Sequence, residues 1–205
     1  MNTVRCKQKG KQYKIYVNDI YLGFLFKADF ERIGLDAPES EEEFFTFDSD
    51  NEVIAIRDII YDRAYQKSIG YLATAEYPAG VIKNKLYMKG FSESIVDEVI
   101  SVLYESKYLD DGRFVESYTR TYIRSKSREL IEREIQARGV DASQYRDMID
   151  DVYADENVTE EDVIRGLLEK KYRNMDLDDI KIKRRAISFL SRHGFTYDKI
   201  NNYLT

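Results

Sequence analysis

From residue 53 onward the apolar positions of the chain recur at helical spacing. Ile56, Ile59, Ile60, Ala64 and the run Ile69 to Leu72 predict one long amphipathic helix. Tyr77-Pro78 ends it, because the residue before proline resists helical backbone and proline suits the first turn of the next helix. Helices over 81–89 and 94–105 follow. Phe114, Val115, Tyr118 and Tyr122 make the stripe of another, with two more predicted over 129–138 and 143–153. Thr159-Glu-Glu-Asp162 has capping-box spacing before Val163, Leu167 and Leu168; Ile182, Ala186, Phe189 and Leu190 mark the next helix, and Asn201, Tyr203 and Leu204 fall in the last. The first 34 residues follow a different period. Tyr13, Ile15 and Val17 alternate with polar residues, Asn18-Asp19 signals a turn, and Ile20 to Phe26 is β-prone, so a two-stranded ribbon is predicted, followed by a short helix over 28–33. The acidic segment 36–51 predicts a linker with one short helix, and 150–162 an acidic connector.

Superposed on this pattern is a turn that the chain spells three times: Lys89-Gly90-Phe91-Ser92, Arg138-Gly139-Val140-Asp141 and His193-Gly194-Phe195-Thr196. Glycine just past a helix takes the left-handed conformation that closes the last turn. A basic residue before it suits the negative end of the helix dipole, and Ser, Asp or Thr after it caps the next helix. Leu86, Ile135 and Leu190 stand four residues before each glycine, and Ile100, Ile149 and Leu204 ten after it. Spacings of 49 and 55 residues between the glycines predict a helical unit of about fifty residues, repeated three times.

Composition narrows the class. The net charge is −6, and 34% charged with 43% apolar residues is a globular balance. One cysteine, Cys6, and one histidine, His193, give no Cys/His metal set and no internal disulfide; neither a signal peptide nor a transmembrane run is predicted, so the default is a reducing cytoplasmic setting. Charge is uneven. Residues 36–58 carry nine acids against Arg57 alone, whereas 165–192 carry nine Lys/Arg against four acids. No phosphate-binding glycine loop, nucleophile set or metal motif is present, and Asp110-Asp111 reads as a helix cap rather than a carboxylate pair. The chemistry that remains is binding, with no enzyme activity, cofactor or small-molecule substrate expected.

Taken together, these residues resemble the RecX family, regulatory proteins of the RecA recombinase. The resemblance rests on Tyr71-Leu72, Leu86 with Lys89-Gly90-Phe91, Leu109-Asp110-Asp111 with Arg113-Phe114, Arg120 and Arg124, and Phe189-Leu190 with Arg192 and Gly194-Phe195. It covers about residues 62–205. Ala75-Glu76-Tyr77-Pro78 departs from the arginine-serine entry common in the family, and Ser127-Arg128-Glu129 lacks a glycine frequent there.

The resemblance implies a mainly α fold of three tandem three-helix repeats in an elongated, curved array, with a small N-terminal β-ribbon and helix extension. The expected divisions are 1–51 for the extension with its hairpin and acidic linker, then repeats at 52–108, 109–157 and 158–205. The implied partner is the RecA–single-stranded DNA filament, with direct contact to single-stranded DNA as a further implication and no membrane. The implied effect is inhibition of recombinase, ATPase and coprotease activities. The basic residues expected to meet that partner are Lys83, Lys85 and Lys89 in the first repeat. In the second they are Arg113, Arg120, Arg124, Lys126, Arg128, Arg133 and Arg138, and in the third Lys181, Lys183, Arg184, Arg185 and Arg192. Gly90, Asp110, Asp111, Gly139 and Gly194 are expected to set the turns. A different class, a helix-turn-helix-like DNA-binding transcriptional regulator, uses similar tight turns. The acidic total and the lack of one Asn/Gln/Arg-rich recognition helix weigh against it. A plain helical scaffold with solvated basic faces is the third reading.

Overall fold

The computed structural model describes residues 1–204, so the last position of the expected 158–205 repeat lies outside the described residues. The chain forms two compact units, 1–109 and 110–205.

In the first unit, β1 (Asn2–Lys9), β2 (Gln12–Val17), β3 (Ile20–Leu25) and β4 (Glu42–Phe47) make one antiparallel sheet in the order β3-β2-β1-β4. Asn18 and Asp19 both have positive φ, 47° and 64°, as a two-residue hairpin requires. Helix α1 (Lys27–Arg32) lies between β3 and β4, and α2 (Asn51–Leu72), α3 (Ala79–Met88) and α4 (Glu93–Glu105) follow. Ile56, Ile60, Ala64 and Ser68, four residues apart, form the buried stripe of α2.

Two expectations are corrected here. The ribbon has four strands rather than two, and part of the presumed acidic linker is a strand. Acidity hides the alternation. Phe45 and Phe47 point to the core side while Glu42, Phe44 and Thr46 are exposed, and β1 supplies a full register of partners from Asn2↔Phe47 to Lys7↔Glu42. The extension and the first repeat also share one core, in which Val4, Ile15, Leu25 and Phe30 join Ile60, Ile82, Leu86, Ile95 and Leu103. A two-stranded ribbon is marginal alone; here the sheet is stabilised by α2, so residue 51 ends no folding unit.

The second unit contains α5 (Asp111–Tyr122), α6 (Arg128–Ala137), a 3-10 turn at Ala142–Tyr145, α7 (Arg146–Glu156), α8 (Glu160–Tyr172), α9 (Ile180–Arg192) and α10 (Tyr197–Leu204). The expected acidic connector is shorter than its composition suggests. Residues 150–156 belong to α7, whose buried Ile149 and Val152 keep the helical period, and Asn157 ends it with left-handed φ 48° and ψ 48°. Ile123 and Val152, from the second repeat, are buried in the third repeat's cluster with Leu167, Ala186 and Leu190.

The three glycine turns are Schellman motifs. Gly90, Gly139 and Gly194 have φ of 90°, 87° and 92°. After each, the amide of Phe91, Val140 or Phe195 donates back to the carbonyl of Leu86, Ile135 or Leu190, and the glycine amide donates to the residue after that. The three apolar residues after the glycines are buried, as are Leu86, Ile135 and Leu190. This pairing explains why an apolar residue stands four positions before every glycine.

Candidate partner-binding surface

The third glycine turn builds the join between the second and third repeats. Ser127, fully buried, receives it from two sides: its amide donates to the His193 carbonyl at 2.8 Å and its Oγ to the Gly194 carbonyl at 2.8 Å. His193 caps the C-terminus of α9 as expected, and its Nδ1 also lies 2.6 Å from the Ser125 carbonyl. Lys199 of α10 bridges Glu129 at 2.7 Å and Glu160 at 2.5 Å. Burial opposes the Lys199 charge, but hydrogen bonds to both carboxylates outweigh it and raise its pKa.

Against this frame, the basic residues expected to meet a partner separate into two groups. Most are engaged within their own unit. Lys83 pairs with Asp97 at 2.6 Å, and Lys85 sits 4.7 and 4.8 Å from the ring centres of Tyr71 and Tyr77. On α5, Arg120 meets Glu116 at 3.1 Å, Asp155 at 3.1 Å and Glu156 at 3.2 Å, while Arg124, in the turn just after it, meets Glu156 at 3.2 Å. Lys126 donates to Glu134 at 2.5 Å, Arg128 pairs with Glu132 and Asp150, and Arg138 donates to the Glu134 carbonyl at 2.7 Å beneath the Tyr118 ring. Asp110 caps α5 by accepting from the Arg113 amide at 2.9 Å, and Asp111 opens the helix. Lys183 donates to the Leu204 carbonyl at 3.0 Å, at the end of α10.

The second group stays open. Lys181, Arg184, Arg185 and Arg192 are exposed along one side of α9 and pair with no acid among the described residues. Their spacing keeps them off the buried Ala186 and Leu190. Asp179 caps this helix, accepting from the amides of Lys181 at 2.7 Å and Ile182 at 3.1 Å. Lys171, which sequence reasoning did not single out, joins the same surface. Its Nζ lies 4.0 Å from the Phe189 ring centre, and Arg185 and Arg192 flank Phe189 on the helix. The signal was present in the basic count of 165–192, but only the packing of α8 on α9 places Lys171 there. Lys89 and Arg133 are also exposed, at the end of α3 and on α6.

The fold and this surface define a class: tandem three-helix repeats, each with a glycine turn before its last helix, and an open basic face on α9. Models of the first, second and third RecX three-helix domains match residues 64–103, 110–147 and 159–204, more than half of the 205 residues. The chain belongs to the RecX family. Among curated relatives, the regulatory proteins RecX of Clostridium tetani and Clostridium perfringens are 24% and 26% identical, spanning 97% and 96% of this chain and 89% and 90% of theirs. RecX of Bacillus velezensis is 27% identical over 68% of this chain, and the match spans about half, 53%, of that protein. A crystal structure of a regulatory protein RecX aligns over 98% of this chain with a TM-score of 0.55 at 20% identity. That of RecX from Lactobacillus salivarius aligns over 72% with a TM-score of 0.52 at 19%; both establish the fold. No helix among the described residues is long and apolar enough to cross a membrane.

Proposed function

We propose that this protein binds the filament of RecA on single-stranded DNA and restrains it, lowering filament growth, ATP hydrolysis, strand exchange and repressor cleavage. The action is that of a binding regulator in the cytoplasm, without catalysis or cofactor. The observation that carries the placement of the contact is the partition of positive charge. Arg120 and Arg124 are paired with neighbouring carboxylates, whereas Lys171, Lys181, Arg184, Arg185 and Arg192 are exposed with no acidic partner among the described residues. An open basic face is suited to acidic protein surface or phosphate, and it governs encounter and orientation more than fold.

The test is co-sedimentation with preformed filaments. Reversing Arg184 and Arg185 to glutamate is expected to weaken binding about tenfold or more, with helical content intact because both side chains are exposed. Unchanged binding would rule out this face. Sequence-selective duplex binding without the recombinase would favour the DNA-binding regulator instead.

A further inference from the structure

The acidic end of α7 is placed against its own helix. Asp155 and Glu156 lie in the last turn, which holds no basic residue, at the negative end of the dipole. Both carboxylates reach to α5. Arg120 gives Nη2 to Asp155, Nη1 to Glu156 and Nε to Glu116, so all three of its nitrogens face carboxylate oxygens. Arg124 gives Nη2 to the second oxygen of Glu156. A guanidinium surrounded in this way is satisfied as a phosphate would satisfy it. Yet the side chains stay open to water, Arg124 at 68% and Asp155 at 64% of full exposure, and pairs of that kind exchange readily. Beside them an open groove of about 410 Å³ runs along α5, lined by Arg113, Glu116, Ser117, Arg120 and Thr121.

We propose that Arg120 and Arg124 form a site for the phosphate backbone of single-stranded nucleic acid, which Asp155 and Glu156 close in the free protein by standing in for phosphate. The proposal rests on the filament reading for its biological setting and deepens it with a regulatory step. Phosphate contacts draw on arginine together with serine and threonine hydroxyls, and the groove offers both. An acidic protein surface would present the same carboxylates that already occupy the arginines, so exchange would gain less. Displacement leaves two acids uncompensated at the end of α7, and loosens the turn through Asn157 that leads into α8.

The test measures anisotropy of a labelled oligothymidylate with the full chain at fixed salt. Asp155→Asn with Glu156→Gln is expected to tighten binding about three- to tenfold, and adding Arg120→Gln and Arg124→Gln removes the gain. Asp147→Asn with Asp151→Asn, exposed on the same helix and equal in charge change, is expected to leave affinity within about twofold. Unchanged affinity in the first variant, with helicity intact by circular dichroism, overturns the proposal. So does an equal gain in the control, or a gain that survives loss of the arginines. An equal gain for polyglutamate overturns the choice of nucleic acid in favour of an acidic protein. Inhibition of the recombinase by the wild-type chain is scored separately, so failure of the filament reading is distinguishable from failure of the closed site.

Discussion

Gly194 is held more tightly than the other glycine turns allow one to assume from sequence. A Cβ there would stand 2.4 Å from Leu130 Cβ and 2.5 Å from Ser127 Oγ, whereas at Gly90 the nearest atom, the Tyr21 hydroxyl, is 3.6 Å away. Both positions have left-handed φ, which costs an L-residue about 1–2 kcal/mol. Only Gly194 adds overpacking, worth about 1–3 kcal/mol. Gly194→Ala is therefore expected to destabilise by about 2–5 kcal/mol in urea denaturation, and Gly90→Ala by about 1–2 kcal/mol. Equal losses would contradict the close join at Ser127. The conformational demand on these glycines was legible because helix, glycine, apolar residue and cap recur in one order. The demand for space was not, since it depends on Ser127 and Leu130, which lie over sixty residues earlier. Cys6 illustrates the same limit: burial pushes its thiol up to about 12, but nothing near it in sequence announces that burial.

Between elements, charge joins what hydrophobic stripes only align. Glu134 of α6 accepts from Lys126 and from the Tyr118 hydroxyl of α5. Burial raises its pKa, but these hydrogen bonds outweigh burial and hold it below the ordinary value of 4.5. A lowered folded pKa contributes stability above the unfolded value, lost as pH falls through the folded one. Glu134→Gln should accordingly cost about 1–2 kcal/mol at neutral pH. The cost should fade in acid, as pH falls below the ordinary carboxylate range and through the lowered folded pKa. Urea denaturation at both pH values checks this; an equal loss at each would refute the role of the charge. Helices were the legible elements, because their stripes are long and periodic. Strand β4 was not, because its six residues include two glutamates and its alternation gains meaning only beside β1. The basic face of α9 was visible as a count of charges. The pairing of Arg120 and Arg124 with the end of α7 was invisible, because the partners are 32 to 36 positions apart and ion pairs carry no periodic mark.

At the scale of the whole chain, the four expected segments fall into two compact units, 1–109 and 110–205. The sheet, α2, α3 and α4 share one cluster, while the second and third repeats interlock through Ile123, Val152 and Ser127. Residues 110–205 expressed alone should unfold cooperatively with full helical content, whereas 52–109 without its sheet should lose cooperative unfolding. Calorimetry on both fragments checks this, and a stable 52–109 fragment would restore the boundary at residue 51. The chain's membership of the RecX family gives these units a regulatory setting, and the open cations of α9 are the surface proposed for it. The central claim is restraint of a recombinase filament. The most direct measurement is the ATPase rate of preformed cognate RecA on single-stranded DNA as the folded protein is titrated in below stoichiometry. A fall at low ratios is the predicted result, and a rate unchanged up to equimolar protein would contradict it.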